Sequence, residues 1–346
     1  MHFSILTLLL PILTLAHPSP KPATWQSLAP IPLYARQEHT TLFLPPSTIA
    51  ILGGIIPDAT NTSFPPFNTT SMMQFYSIDT DIWSSRSDMP VALNHLNAAV
   101  VEGKIYVLGG LIERLYERGR AWRAVGDTWM YNPECDRWSA IPNLPAGEER
   151  GSAAVGVHGD RIVLAGGLTD LEFYGAHVQT SVGVVSVFDT KTLTWEDVPE
   201  KAKYMPEARD HAGAAAVEGK MYVLGGRDNG QENLKDTVFL LDLECLEKGW
   251  EVSGAKMPTA RGGVSTGVVG RKVYTFGGEG DKSVQTGVFD EVEAYDTLRD
   301  IWESVGTMEI PRHGTYAVGV KGKVYIPGGG IMQAGGPVAD FDAFVL

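Results

Sequence analysis

Short apolar runs that stop at a pair of glycines recur six times along the 346 residues. They are Ile51-Leu52-Gly53-Gly54, Val107-Leu108-Gly109-Gly110, Leu164-Ala165-Gly166-Gly167, Val223-Leu224-Gly225-Gly226, Thr275-Phe276-Gly277-Gly278 and Ile326-Pro327-Gly328-Gly329. Successive pairs stand 56, 57, 59, 52 and 51 residues apart. Ahead of the runs lie stretches of small residues, such as Ala98 to Val101, Ala153 to Val157 and Ala214 to Val217, set off by tight polar turns such as Glu102-Gly103-Lys104 and Glu218-Gly219-Lys220. After the pair come a loop of variable length, an apolar stretch (Phe75-Tyr76, Met130-Tyr131, Tyr295-Asp296) and a polar stretch around a Trp. Short apolar runs bounded by Gly and polar turns predict strands, so the pattern predicts the same four strands six times over. A regular period near 50 residues makes the repeat the unit of folding.

Trp25, Trp83, Trp138, Trp195, Trp250 and Trp302 sit 26 to 30 residues upstream of the six pairs. These markers match the kelch pattern, and the chain resembles the kelch-repeat family over nearly all of residues 25–346. The resemblance implies an all-β, six-bladed kelch β-propeller with small residues near the axis and aromatics packed between adjacent sheets. Trp25 precedes every pair, while only Val338 to Leu346 is left to follow the last one. The N-terminal strand around Trp25 is therefore expected to complete the last blade and close the ring. A closed ring has no edge strand free to pair with another chain, and a monomer is expected.

Phe3 to Leu15 is apolar but too short to cross a bilayer of about 30 Å, and it leads into Thr14-Leu15-Ala16, a small-residue cleavage site. Residues 1–16 are read as a signal peptide of a secreted protein, with an N-terminal anchor as the alternative; 17–24 are a short linker and 25–346 the propeller. No membrane span follows once the signal is removed. Asn61-Thr62-Ser63 and Asn68-Thr69-Thr70 are glycosylation acceptors in one Pro/Thr/Ser-rich loop. The net charge of −13, with no basic block, excludes nucleic acid and anionic membranes as partners. Cys135 and Cys245 fall in short turns of different blades, too far apart for a disulfide, and are expected as free thiols.

The candidate chemistry gathers at one corner of the repeat. Arg150, Arg209, Arg261 and Arg312 each stand 16 residues before a Gly-Gly pair, Arg36 stands 17 before, and Leu93 takes the position in the second blade. His39, His95 and His211 stand 14 before. The functional reading is a funnel on the long-loop face for an anionic or oxygen-rich small molecule, with Arg as bidentate donor and His39, His95 and His211 as proton-transfer groups or ligands. The structural reading is that the guanidiniums bond loop carbonyls or acids such as Glu149 and Asp210. A three-His metal centre is disfavoured, because blades one, two and four are not all adjacent, and no metal is expected. Long loops at Glu113 to Gly126 and Thr169 to Thr180, carrying Trp122, Glu172, Phe173 and His177, are placed as walls of a mixed aromatic and polar pocket.

Kelch-like propellers include copper-radical oxidases, but those need a Cys beside a Tyr ligand, and both Cys here lie on the other face. The Glu-x-x-x-Asp-x-x-x-His iron motif of plant specifier proteins is absent, as are a Ser nucleophile elbow, a Walker loop and a zinc-protease helix. Two functions stay open. One is a cofactor-independent isomerase or tailoring protein acting on a small oxygen-rich molecule, as in the exported sugar-acid mutarotases and the secreted kelch proteins of secondary-metabolite biosynthesis that share this fold. The other is a non-enzymatic scaffold that takes a protein partner on the long-loop face.

Overall fold

The computed structural model describes residues 23–58, 66–174 and 178–346. The expected signal peptide, most of the linker, Asn61 and His177 lie outside them. Six four-strand units follow one another, every neighbouring pair of strands antiparallel. Their innermost strands are Thr40–Leu44, Ala98–Val101, Ala154–His158, Gly213–Val217, Ser265–Val269 and Val318–Val320. These six touch in a closed cycle, so the molecule is an all-β propeller. Among the described residues there is no α-helix, only a single 3-10 turn at Leu246–Lys248.

Closure falls where the sequence places it. Thr24–Ser27 pairs with Phe341–Val345, so the first described strand is the outermost strand of the last unit. The Trp25 ring packs on Phe344 at 5.0 Å and its Nε1–H donates to the carbonyl of Thr307, in the preceding unit, at 2.9 Å. Trp83, Trp138, Trp195 and Trp250 likewise donate to the carbonyls of Ala29, Ser87, Pro142 and Ala202. Five of the six repeated Trp thus carry a hydrogen bond between units as well as apolar area, which suits an amphipathic ring at a sheet-to-sheet seam; Trp302 has no partner for its Nε1–H.

Six separate blades were expected; the described residues form four separate four-stranded sheets, one eight-stranded sheet and two small two-stranded sheets. The eight-stranded sheet unites units two and three. The glycine pairs there do not end their strands, because register shifts let the chain run on. Lys104–Tyr116 pairs with Gly119–Asn132, and Arg161–Glu172 pairs with Gln179–Asp189. The extended arms then join each other through Ala121, Trp122 and Arg123 against Glu172, Leu171 and Asp170. Among the described residues, the two long loops of the sequence reading are therefore mostly strand. Asn68 too is in a short strand, Phe67–Thr69, rather than a loop. Cys135 and Cys245 are free thiols in turns between third and fourth strands.

The glycine pairs make the corners at which one unit meets the next. Gly53, Gly166, Gly277 and Gly328 have φ between 57° and 67°. A Cβ on them would lie 2.3, 2.5, 2.0 and 2.5 Å from the carbonyl oxygens of Leu93, Arg209, Arg312 and Arg36. Those four carbonyls, each in the next unit around the ring, accept hydrogen bonds from the second glycine of each pair, at 2.8, 2.7, 3.0 and 2.8 Å. Only glycine allows both the left-handed backbone and that approach. Gly322 has φ 80° but nothing within 4 Å of its would-be Cβ, so Gly322→Ala should cost about 1 kcal/mol, the price of the left-handed conformation alone. Gly277→Ala, measured beside it by urea unfolding, is expected to cost at least twice that, and equal losses would show that the carbonyl approach is immaterial.

Candidate functional site

A belt of hydrogen bonds circles the axis at the mouth of the inner strands. The N–H of Glu38 donates to the carbonyl of Gly314, that of His95 to Glu38, that of Ser152 to His95, that of Gly263 to His211 and that of Gly314 to Gly263. The one exception is His211, whose N–H donates to the Ser152 hydroxyl at 3.1 Å. All six residues have φ between 51° and 66°. Glycine tolerates this backbone freely, whereas Glu, His and Ser there are uncommon. The side chains of Glu38, His95 and His211 converge.

Glu38 Oε2 lies 3.1 Å from His95 Nε2, and His95 Nε2 lies 3.0 Å from His211 Nε2. Each imidazole is held from behind. His95 Nδ1 meets Asn94 Oδ1 at 2.7 Å, and the Asn94 amide nitrogen donates to Thr69 Oγ1, which turns its oxygen to the ring. His211 Nδ1 meets Asp210 Oδ1 at 2.5 Å. Asp210, fully buried, also accepts from Gln179, Ser181 and Arg227. The Arg227 guanidinium donates onward to His211 Nε2 at 3.1 Å and to Glu279 Oε1 at 2.5 Å.

Burial pushes the carboxyls of Asp210 and Glu279 up, but charged neighbours win. The hydrogen bond from His211 and the Arg227 charge hold Asp210 at about 2. His313 and Arg227 hold Glu279 at about 2. Burial, reinforced by Arg227, takes His95 down to about 3 and lowers His211 as well. At neutral pH the carboxylates are charged and these two imidazoles neutral, each presenting a lone pair on Nε2 if its proton stays on the bonded Nδ1.

Above the belt opens a cavity of about 540 Å³, within the range of small-molecule sites. One wall is Trp122, Leu171 and Phe173, from the arms that join units two and three. Trp122 stacks edge-on to Phe173 at 4.7 Å and lies 5.1 Å from the His95 ring. Arg227 and Gln231 of unit four and Glu279 of unit five also line the cavity. Below the belt, a second space of about 280 Å³ runs between the small side chains of the inner strands, and Tyr316 borders it.

His95 and His211 are thus brought together as the sequence suggests, but His39 is not. Unit one has one more residue between this corner and its glycine pair, so Glu38 occupies the belt and His39 is buried behind it, with Nε2 3.4 Å from Thr315 Oγ1. The five arginines are buried and turned into their own units. Arg36, Arg209 and Arg261 donate to the carbonyls of Gly53, Gly225 and Gly277, each at 2.9 Å, and Arg150 to that of Gly166 at 2.8 Å. Arg312 pairs with Asp342 at 2.7 Å. The acids named as partners differ: Arg209 takes Glu207, while Asp210 serves Arg227. None of the five lines the cavity. Glu38, Arg227 and Glu279 were missed. The residue after each glycine pair gave a signal, since it is apolar in Ile55, Leu111 and Leu168 but charged in Arg227 and Glu279.

Comparison with known proteins agrees with this architecture. The model of the KLHDC2/KLHL20/DRC7 Kelch-repeats domain matches residues 169–343, and that of the Kelch motif matches residues 93–145. Kelch-like protein terF of Aspergillus terreus is 39% identical over 322 residues, covering 91% of this chain and 66% of that protein. Beta-scruin of Limulus polyphemus is 25% identical over 248 residues, 70% of this chain and 25% of scruin. N-acetylneuraminate epimerase of Vibrio cholerae is 34% identical over 116 residues, 33% of this chain and 27% of the epimerase. The chain therefore spans about two thirds of the fungal relative's length and about a quarter of scruin's.

The Arg227–Glu279 pair offers a test of the electrostatics. Breaking a buried pair strands a charge, so Glu279→Gln should lower stability by about 3 kcal/mol at pH 7. Because the folded-state pKa of Glu279 lies below its ordinary value of 4.5, its contribution is complete above about pH 5 and is lost as pH falls toward 2. Denaturant titrations of both proteins from pH 7 to pH 3 should show the gap narrowing as pH falls below 4.5; a gap that does not change with pH would assign the loss to packing.

Proposed function

From the premise that the chain belongs to the kelch-repeat family, we propose that it acts on a small molecule by proton transfer at the axial mouth, as an exported isomerase or tailoring enzyme. The observation that carries this reading is a cavity of about 540 Å³ with two buried imidazoles at its floor, each backed by an oxygen acceptor. A flat apolar rim over a plugged channel would instead favour a protein partner.

The arrangement assigns roles. His211, oriented by Asp210, presents Nε2 as a general base. The Arg227 N–H now directed at that nitrogen is available to a ligand oxygen that gains negative charge as the proton leaves. The proton taken by His211 Nε2 passes to His95 Nε2, 3.0 Å away, which, with Glu38 beside it, is placed to return it at a second position. Removal and return of one proton give an isomerisation without net oxidation. The charge balance refines the substrate class: Glu38 and Glu279 face the cavity against the single cation Arg227, so a neutral, oxygen-bearing molecule with an apolar portion for Trp122 and Phe173 fits better than an anion. The partial likeness to an epimerase supports this chemistry without identifying the substrate. Export, glycosylation at Asn61 and Asn68, and a place in secondary metabolism belong to the same proposal.

The test is thermal unfolding of the metal-free protein against a panel of sugar acids, neutral sugars and polyketide lactones. A neutral oxygenated ligand should raise the midpoint, and the rise should vanish in His211→Asn and shrink in Trp122→Ala. Asn is chosen because it accepts the left-handed backbone. No shift with any compound, together with capture of a protein partner that is lost on changing the exposed Leu115 and Tyr116, would overturn the reading in favour of a scaffold.

A further inference from the structure

We propose that Glu38, His95 and His211 form a binding site for a divalent transition-metal ion, zinc being the probe of choice. The proposal uses the same cavity but is an alternative to the acid–base reading, since an Nε2 that binds a metal has no lone pair left to take a proton.

The first support is the donor set. One carboxylate oxygen and two imidazole nitrogens lie within 4.8 Å of one another. Neighbouring ligands on a metal with bonds of about 2.0–2.2 Å stand roughly 3 Å apart, and the separations here are 3.1 Å for Glu38 to His95 and 3.0 Å for His95 to His211. Two histidines and one carboxylate leave positions open for a water or ligand. The second support is the tautomers. Both Nδ1 atoms face oxygen acceptors, Asn94 Oδ1 and Asp210 Oδ1, the outer-shell pattern that keeps the proton on Nδ1 and frees Nε2 for a metal. Two bare Nε2 lone pairs at 3.0 Å repel, so the pair must share either a proton or a cation, and the outer acceptors favour the cation.

Charge is the third support. Glu38, Asp210 and Glu279 set three carboxylates against the Arg227 guanidinium and the His313 imidazole, whose Nδ1 lies 3.5 Å from Glu279 Oε2, in a buried cluster, and buried charge requires compensation. A dication supplies it. Arg227 is the opposing element, since its N–H donates to His211 Nε2. Metal binding would displace only that bond, because Asp210 and Glu279 hold the guanidinium through its other nitrogens. Finally, the ligands sit on a strained, closed backbone belt, and strain persists where surrounding structure over-determines it. In this frame the metal would face the cavity and polarise a ligand oxygen as a Lewis acid.

The experiment is isothermal titration of chelator-stripped, full-length protein with zinc chloride at pH 7.5, with circular dichroism to confirm folding. One equivalent should bind, and Glu38→Gln and His211→Asn should each weaken the affinity at least tenfold. His158→Asn, at the far end of an inner strand, should bind as the parent does. Cobalt substitution adds a second readout, a visible absorption band that His211→Asn removes. Binding well below one equivalent, or uptake undiminished in both ligand variants, overturns the metal site. Ligand-induced stabilisation of the metal-free protein is scored separately, so that result leaves the proton-transfer reading to its own test.

Discussion

The ring of hydrogen bonds through Glu38, His95, Ser152, His211, Gly263 and Gly314, main-chain at every link but that from His211 to the Ser152 hydroxyl, is the constraint on which the rest of the molecule turns. Each link joins one unit to the next, so the inner strands are tied together where they enter the axis. The link requires a left-handed residue in every unit. Two units meet that need with glycine, while four place a side chain there despite its conformational cost, three of them facing the site. The geometry that closes the ring also delivers Glu38, His95 and His211 to one point.

Around that point the charges are sorted. The five repeated arginines face away from the cavity and hold the carbonyls or acids of their own units, acting as internal struts. A single guanidinium, that of Arg227, serves the mouth. It stands between Asp210 and Glu279 and so fixes the side chain that orients His211. A buried polar network of this kind holds together only when its members are satisfied jointly, which ties the stability of the mouth to its chemistry.

What the sequence made legible was what repeats. Six glycine pairs and six tryptophans declared the propeller and its closure, because each unit must solve the same packing problem. The site depends on departures from the repeat. Aligning His39 with His95 and His211 by distance to the glycine pair misplaced it by one residue, since unit one is longer at that point, and the belt position belongs to Glu38. The arginines misled for the opposite reason, being regular because they are structural. Even the merger of units two and three lay hidden, because Glu113 to Gly126 and Thr169 to Thr180 carry the Gly and charged residues of loops. Their strand character comes from pairing with each other across units, a tertiary effect that local pattern does not contain.

That merger has a consequence for chirality. Six equivalent units would present a mouth with nearly rotational symmetry, able to accept a molecule in any of several azimuthal poses. The paired arms add an apolar wall from units two and three alone, with Trp122 and Phe173 set edge to face, while the charged Arg227 and Glu279 come from units four and five. A guest with one greasy and one oxygenated side then has a single way to lie over the imidazoles. A prochiral centre in it would show them one face, so the handedness of a product would be written by the lopsided rim rather than by the symmetric ring beneath.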